Sequence, residues 1–380
     1  MITVTPAGLY CQAGDFWIDP WRPVPRAIIT HAHSDHARAG SEHYFSSRPS
    51  EPLLRHRLGA DIHLTAWDWG VRHTIGGVEV SLHPAGHILG SAQVRVSDGQ
   101  QTWVVSGDYK RDADPTCEPF EVVPCDTFIT EATFALPVYR WPSHDQVMDD
   151  IFEWWTHCRN RGQSAVLLCY SLGKAQRILA GMADRAPDPV LLHGAMHELT
   201  AIYRQQGVRL ADTERVSDLA RRDKAAGRLI LAPPSAMGTP WMQRFTRPEV
   251  AFASGWMTIR GVRRQRGYDR GFVVSDHADW AGLVTTIRQT GCRRVLATHG
   301  NTTVLVRWLQ EQGLDAAPLQ TLYGGEGDGP DTPETSPTSE SDRRGGAPAP
   351  PASEGESPST TPSSRRGGAA SPPASEGESP

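Results

Sequence analysis

Nothing in the sequence reads as a membrane span, a secretion signal or a disulfide framework. No apolar run approaches the ~20 residues that a spanning helix needs. The opening M-I-T-V-T-P-A-G-L-Y has neither the basic start nor the apolar stretch of a signal peptide. The six cysteines (Cys11, Cys117, Cys125, Cys158, Cys169 and Cys292) are scattered without a C-x-x-C pair, which argues against a zinc ribbon and fits a reducing compartment. A cytoplasmic location without a membrane partner is therefore expected. A P-loop is missing too: Gly173-Lys174 has Leu168 where the motif needs its first glycine, so no nucleotide cofactor is expected.

From Gly324 onward the aromatic and large aliphatic residues run out, and R-R-G-G-A recurs at Arg343 and Arg365. Such a segment has too little apolar surface to offset its ordering entropy, so residues 324–380 read as a disordered low-complexity tail. Its ten acidic residues against four arginines give it −6 of the chain's −5, leaving the remainder near +1. The acidic overall balance is thus no argument against a polyanionic partner.

What stands out is I-T-H-A-H-S-D-H-A-R at residues 29–38. The preceding Arg26–Thr30 reads as a short buried strand, so the cluster lies where a strand gives way to a loop. Side chains two apart on an extended segment point the same way, so His31 and His33 share a face and suit one divalent ion. Asp35 and His36 reach toward a second.

Other chemistry-bearing residues also end or follow strand-like runs: Asp19 ends Phe16–Asp19, His87 comes after Val78–Leu82, Asp108 after Thr102–Ser106 and Glu131 after Asp126–Thr130. His277 follows Arg270–Val274, and His299 follows Arg294–Ala297. A helix-like stretch is read at residues 36–40. Between Ser143 and Ala253, helices and strands alternate (helix Asp145–Arg159, strand Ala165–Tyr170, helices Lys174–Ala183, Glu198–Gln206 and Thr239–Arg244), which predicts a second α/β unit with a parallel sheet.

In order, Asp19, H-x-H-x-D-H, His87 and Asp108 resemble the motifs of the metallo-β-lactamase superfamily. Glu131 in T-E-A-T-F, His277 in S-D-H-A-D, His299 in T-H-G and the helix start S-L-G-K-A-Q at Ser171 resemble the β-CASP nucleases within it. The runs S-G-W-M at Ser254 and S-D-H-A-D-W at Ser275 are most similar to the bacterial ligase-associated DNA exonuclease branch. His299-Gly-Asn301 departs from the H-G-E of many RNA-processing members.

The resemblance implies an αββα sandwich from residues 1–142 and 254–323, with a β-CASP α/β domain inserted at 143–253. It implies one ion held by His31, His33 and His87, a second by Asp35, His36 and His299, and Asp108 between them. His277, oriented by Glu131, would protonate the leaving oxygen, and Asp19 would support the ligands.

Two such ions can activate a hydroxide and clamp an in-line displacement at phosphorus. The His-rich set suits zinc, and the carboxylates admit manganese. The expected function is a two-metal DNA exonuclease in repair, with nucleic acid as substrate and a DNA ligase as a functional partner. An RNA-processing nuclease and a small-molecule esterase or thioesterase of the same fold are the alternatives. Arg260, Arg263, Arg264, Arg266 and Arg270, with Ser171 and Lys174, are the candidate substrate contacts. His193 and His197, although four apart, lack the glutamate of H-E-x-x-H and read as structural.

Overall fold

Short apolar segments with alternating faces build three sheets. The computed structural model describes residues 1–219, 225–245, 247–259 and 268–323, so the tail and Arg260, Arg263, Arg264 and Arg266 lie outside the described residues. Strands β1 (Ile2–Thr5), β2 (Gly8–Cys11), β3 (Phe16–Ile18), β4 (Arg26–Ile28), β5 (His43–Ser47) and β6 (Leu64–Trp67) form the first sheet in sequence order. Helix α1 (Glu51–Leu58) lies between the last two.

Strands β7 (His73–Ile75), β8 (Val78–Pro84), β9 (Ala92–Ser97), β10 (Thr102–Val105) and β11 (Thr127–Glu131) follow. After α2 (His144–Asn160) come β12 (Ala165–Leu168), α3 (Lys174–Met182), β13 (Val190–Leu192), α4 (Gly194–Gln205) and β14 (Thr213–Arg215). The series continues through β15 (Leu229–Ala232), β16 (Glu249–Ala253), β17 (Arg270–Phe272), α5 (Trp280–Thr290), β18 (Arg294–Thr298), α6 (Thr302–Glu311) and β19 (Asp315–Pro318).

The second sheet has the order β19-β18-β11-β10-β9-β8-β7, antiparallel from β7 to β10 and parallel from β10 to β19. The first two sheets share a core: Phe16, Ile18 and Ile28 pack with Val80, Leu82, Val94, Val96, Val105 and Ile129. Period-two alternation puts Val104 and Phe128 on the other face, against Leu283 and Ile287 of α5 and Leu305 and Leu309 of α6. Beyond the first sheet, Ala27 and Tyr44 meet Leu53 and Leu54 of α1 in a core that continues through Trp154, Trp155 and Ile178. Each fully buried Val, Leu, Ile or Phe side chain in these cores contributes ~1.5–3 kcal/mol.

The third sheet, β14-β13-β15-β12-β16-β17, is wholly parallel. It runs on to Arg270–Phe272, past the expected boundary at residue 253, because β17 pairs with β16 before the chain returns to the second sheet. The helix expected at residues 36–40 is instead a turn closed by Ala37 N–H to His33 O at 2.8 Å. Gly40, at φ 103°, follows too soon for a helix to propagate. The segment at 239–244 forms only a 3-10 turn, Pro240–Arg244. Helix α4 starts earlier than expected because His193 caps it, accepting from Ala195 N–H at 3.2 Å.

Candidate metal centre

The centre is assembled from loops that leave the strands of the first two sheets at their ends. Asp19, just beyond β3, takes a left-handed backbone (φ 44°), which an aspartate tolerates better than most side chains. Its carboxylate accepts Thr30 N–H at 2.7 Å, Thr30 Oγ1–H at 2.5 Å and His36 Nδ1–H at 2.7 Å. One buried acid thereby fixes both ends of the H-x-H-x-D-H loop. Asp108 comes close because Gly107 (φ 56°) passes directly over Thr30, where a Cβ would lie 2.8 Å from the threonine side chain. His299 also has a left-handed backbone, φ 61°, at the end of β18.

These loops bring together ligand atoms of His31, His33, His87 and Asp108, all within 4.8 Å of one another, and a second group of Asp35, His36 and His299 within the same span. Asp108 stands between them. Its Oδ2 is 3.6 Å from Nε2 of both His31 and His36 and 3.8 Å from that of His87, and its Oδ1 is 3.9 Å from His299 Nε2. Glu131 and His277 join Asp108 in a third group, with His277 Nδ1 2.8 Å from Glu131 Oε2 and Tyr109 N–H donating to Glu131 Oε1 at 2.8 Å.

The hydrogen-bond partners dictate the tautomers. His33 donates through Nε2 to Leu172 O at 3.2 Å and His87 through Nδ1 to Asp276 O at 2.8 Å. Thr30 Oγ1, already donating to Asp19, accepts from His31 Nδ1 at 3.0 Å. Lone pairs of His31 Nε2, His87 Nε2 and His33 Nδ1 therefore face one another at 3.0–3.1 Å along the two pairs with His33. Neutral imidazoles so placed repel unless a cation sits among them. In and beside the second group, buried His36 Nε2, Asp108 Oδ1 and both His299 ring nitrogens have no hydrogen-bond partner among the described residues. This donor set fits divalent metal ions.

The electrostatics agree. Burial, reinforced by neighbouring imidazoles, holds His31, His87 and His299 well below the ordinary histidine value, which keeps them neutral and ligand-competent. For His36, burial pulls the same way, but Asp35, Asp108 and Asp19 outweigh it and raise the ring to about 10. Without a metal, a proton takes the cation's place there. Burial raises Asp108 to about 7, against the pull of His36 and His277, and Glu131 and Asp35 add to the rise.

The remaining expected site residues are placed differently. Lys174, expected at the substrate, is fully buried, 3.5 Å from Asp276 Oδ2 and 4.6 Å over the Tyr170 ring. It opens a helix whose whole first turn packs inward, so position in a loop-to-helix start did not mean exposure. Ser171 is half-buried, its carbonyl accepting from Gln176 at 3.0 Å. Arg270 is exposed, its guanidinium 5.3 Å over Phe272. His193 caps α4, and His197 meets Glu198 and Arg215.

Sequence reasoning missed Thr30, Leu172, Asp276 and Tyr109, which hold ligands or Glu131 through one bond each. Three of them act through backbone atoms, for which side-chain identity gives no signal.

No family model matches the chain. A probable DNA ligase of Opitutus terrae is 32% identical over 311 residues, which are 81% of this chain and 30% of that protein. The endoribonuclease ysh1 of Aspergillus fumigatus is 32% identical over 117 residues, 30% of this chain and 13% of its own length. The transcription termination factor FttA of Methanothermobacter thermautotrophicus is 25% identical over 237 residues, 51% of this chain and 36% of its own. These relatives support a metallo-β-lactamase/β-CASP nuclease family. The chain spans only 13–36% of the length of these three. A solved structure of a protein of unknown function from Enterococcus faecalis V583 shares the fold at a TM-score of 0.50, with 11% identity over 79% of this chain and 80% of that one.

Proposed function

We propose that this chain is a metal-dependent phosphodiesterase of the metallo-β-lactamase/β-CASP kind, acting on nucleic acid as a DNA exonuclease. The observation that carries the reading is the convergence of buried His31, His87, Asp108 and His36 with half-buried His33, Asp35 and His299 beside the Glu131–His277 pair. A small ester needs no such second set of groups. DNA is favoured because the relative matching 81% of this chain is named a DNA ligase, which also suggests a ligase as functional partner. The relatives named endoribonucleases support RNA as the second reading. The third sheet is the β-CASP domain in this reading, its end moved from residue 253 to Phe272.

His31, His33 and His87 would hold one ion and Asp35, His36 and His299 the other, with Asp108 offering an oxygen to each. Bound there, divalent ions, zinc or manganese, supply Lewis acidity that activates water and neutralises phosphate charge. The chain's own residues do the rest. Asp19, Leu172 and Asp276 fix the imidazoles, so that no reorganisation is needed when substrate arrives. His277 is held by Glu131 at Nδ1, and a protonated His277 can give its Nε2 proton to the departing oxygen. Glu131, anchored by Tyr109 N–H, keeps its charge aimed at the ring as the proton is taken up and lost.

The test is cleavage of end-labelled single-stranded DNA and RNA of one sequence by wild type and His277→Ala. Loss of DNA from one end, strongly reduced in the variant, is expected. Cleavage of RNA alone would transfer the chain to the second reading. Esterase activity without cleavage of either polymer would reject both.

A further inference from the structure

Among the described residues, the chain returns to the metal centre once more after β19. Beyond β19, Leu319 N–H donates to Ala297 O at 2.7 Å, and the Thr321 hydroxyl meets that of Thr298. The segment is thereby tied along β18, the strand that ends in His299. It delivers Tyr323, whose ring lies 4.7 Å from His36 at 6° and 4.9 Å from His299 at 3°. The two imidazoles are themselves parallel, 5.3 Å apart at 3°. Three rings thus share one orientation, with tyrosine lying against both histidines of the Asp35–His36–His299 group.

The phenol is fixed at its other end. Its hydroxyl donates to Ile18 O at 3.3 Å, next to Asp19, and Trp21 meets the ring edge-on at 5.5 Å. His36 has a hydrogen bond, to Asp19, that sets its plane, but among the described residues neither nitrogen of His299 has a hydrogen-bond partner. The bonds that orient His31, His33, His87 and His36 have no counterpart at His299 among the described residues. A stacked ring is what the structure offers in its place.

We propose that Tyr323 is a positioning residue of the second metal centre: its ring aligns the His36 and His299 imidazoles and raises that centre's affinity for a divalent ion. The proposal rests on the two-ion reading of the site. It assigns to the segment Leu319–Tyr323 a strap function: the last of the described residues complete a centre whose first ligands lie near residue 30. Because the ring is apolar on its face, it also shields the imidazoles from water on that side. A ring without a hydroxyl should act nearly as well, and a side chain without a ring should not.

The experiment titrates cobalt(II) into metal-stripped full-length protein, following d–d absorbance and heat. Wild type, Tyr323→Phe, Tyr323→Leu and Tyr323→Ala are compared, with circular dichroism of each metal-free protein as the check on folding. Wild type is expected to bind two ions. The leucine and alanine variants should keep the first affinity and lose the second by about 10–100-fold, as for other groups that orient ligands from outside. Phenylalanine should restore it. Unchanged second-ion affinity in the alanine variant, or wild-type affinity in the leucine variant, would overturn the role of the stacked ring while leaving two ions in place. A wild-type protein that binds one ion or none would overturn the two-ion reading itself, and this proposal with it.

Discussion

Asp19 and His36 are joined by a buried 2.7 Å bond between carboxylate and Nδ1, and the same carboxylate holds Thr30 twice. Asp19→Asn keeps the shape and tolerates the left-handed backbone, but puts an amide where the ring needs an acceptor. We expect metal affinity to fall about 10–100-fold, with little change in fold. Metal retained after dialysis, measured by elemental analysis, checks this. Full retention would show that His36 does not depend on Asp19.

In the proposed reading Glu131 and His277 move a proton rather than hold an ion, although with Asp108 they also form a third group of ligand type. Glu131→Gln and His277→Ala should each lower turnover by about 10²–10⁴-fold while leaving metal content unchanged. Single-turnover cleavage and elemental analysis on the same samples separate the two effects. Loss of metal in parallel with activity would instead make His277 a ligand.

Lys174 and Asp276 form a buried pair between α3 and the loop that presents His277. Lys174→Met removes one of the cations around buried Asp276 and leaves Arg177, 3.8 Å from its Oδ1, as a remaining charge partner, so the loss should stay below the ~3 kcal/mol of a fully uncompensated buried charge. Urea denaturation of the metal-free protein should show it as a lower midpoint at constant slope. An unchanged midpoint with weaker DNA binding would return Lys174 to the substrate surface.

The centre also sets a pH dependence for the metal-free protein. His31, His87 and His299 are lowered below the unfolded value of ~6.5, so the unfolded chain takes those protons first and stability falls as pH drops through that value. Asp108, raised to about 7, works in the opposite sense over the acid range, one carboxyl against three imidazoles. His36, raised to about 10, contributes stability that is complete below ~6.5 and lost as pH rises through about 10. Urea midpoints should therefore peak near pH ~6.5, and His36→Gln should flatten the alkaline side. An alkaline decline of the same size in that variant would contradict the assignment.

Much of this centre was legible because its chemistry sits in side chains at strand ends. H-x-H-x-D-H declares itself by spacing, and His87, Asp108, His277 and His299 gain meaning from it once each is seen to follow a strand-like run. Their convergence needed the structure, since β11 and β18 are adjacent in the second sheet although more than 150 residues apart in sequence. What stayed hidden depends on packing. Lys174 reads as a free cation until α3 is seen buried on every side of its first turn. Helix α1 is mostly polar and buries only Leu53 and Leu54, which leaves too weak a period to detect. Tyr323 lies outside every motif, and only the return of the chain beside β18 gives it a role.

The most direct test of the central claim is DNA cleavage by one preparation before and after its metal is removed. Full-length protein, shown metal-free by elemental analysis, should leave end-labelled single-stranded DNA intact. Zinc or manganese added back should restore cleavage in wild type and not in His33→Ala. Verified metal-free protein that cleaves DNA as fast as the reconstituted one would contradict the account.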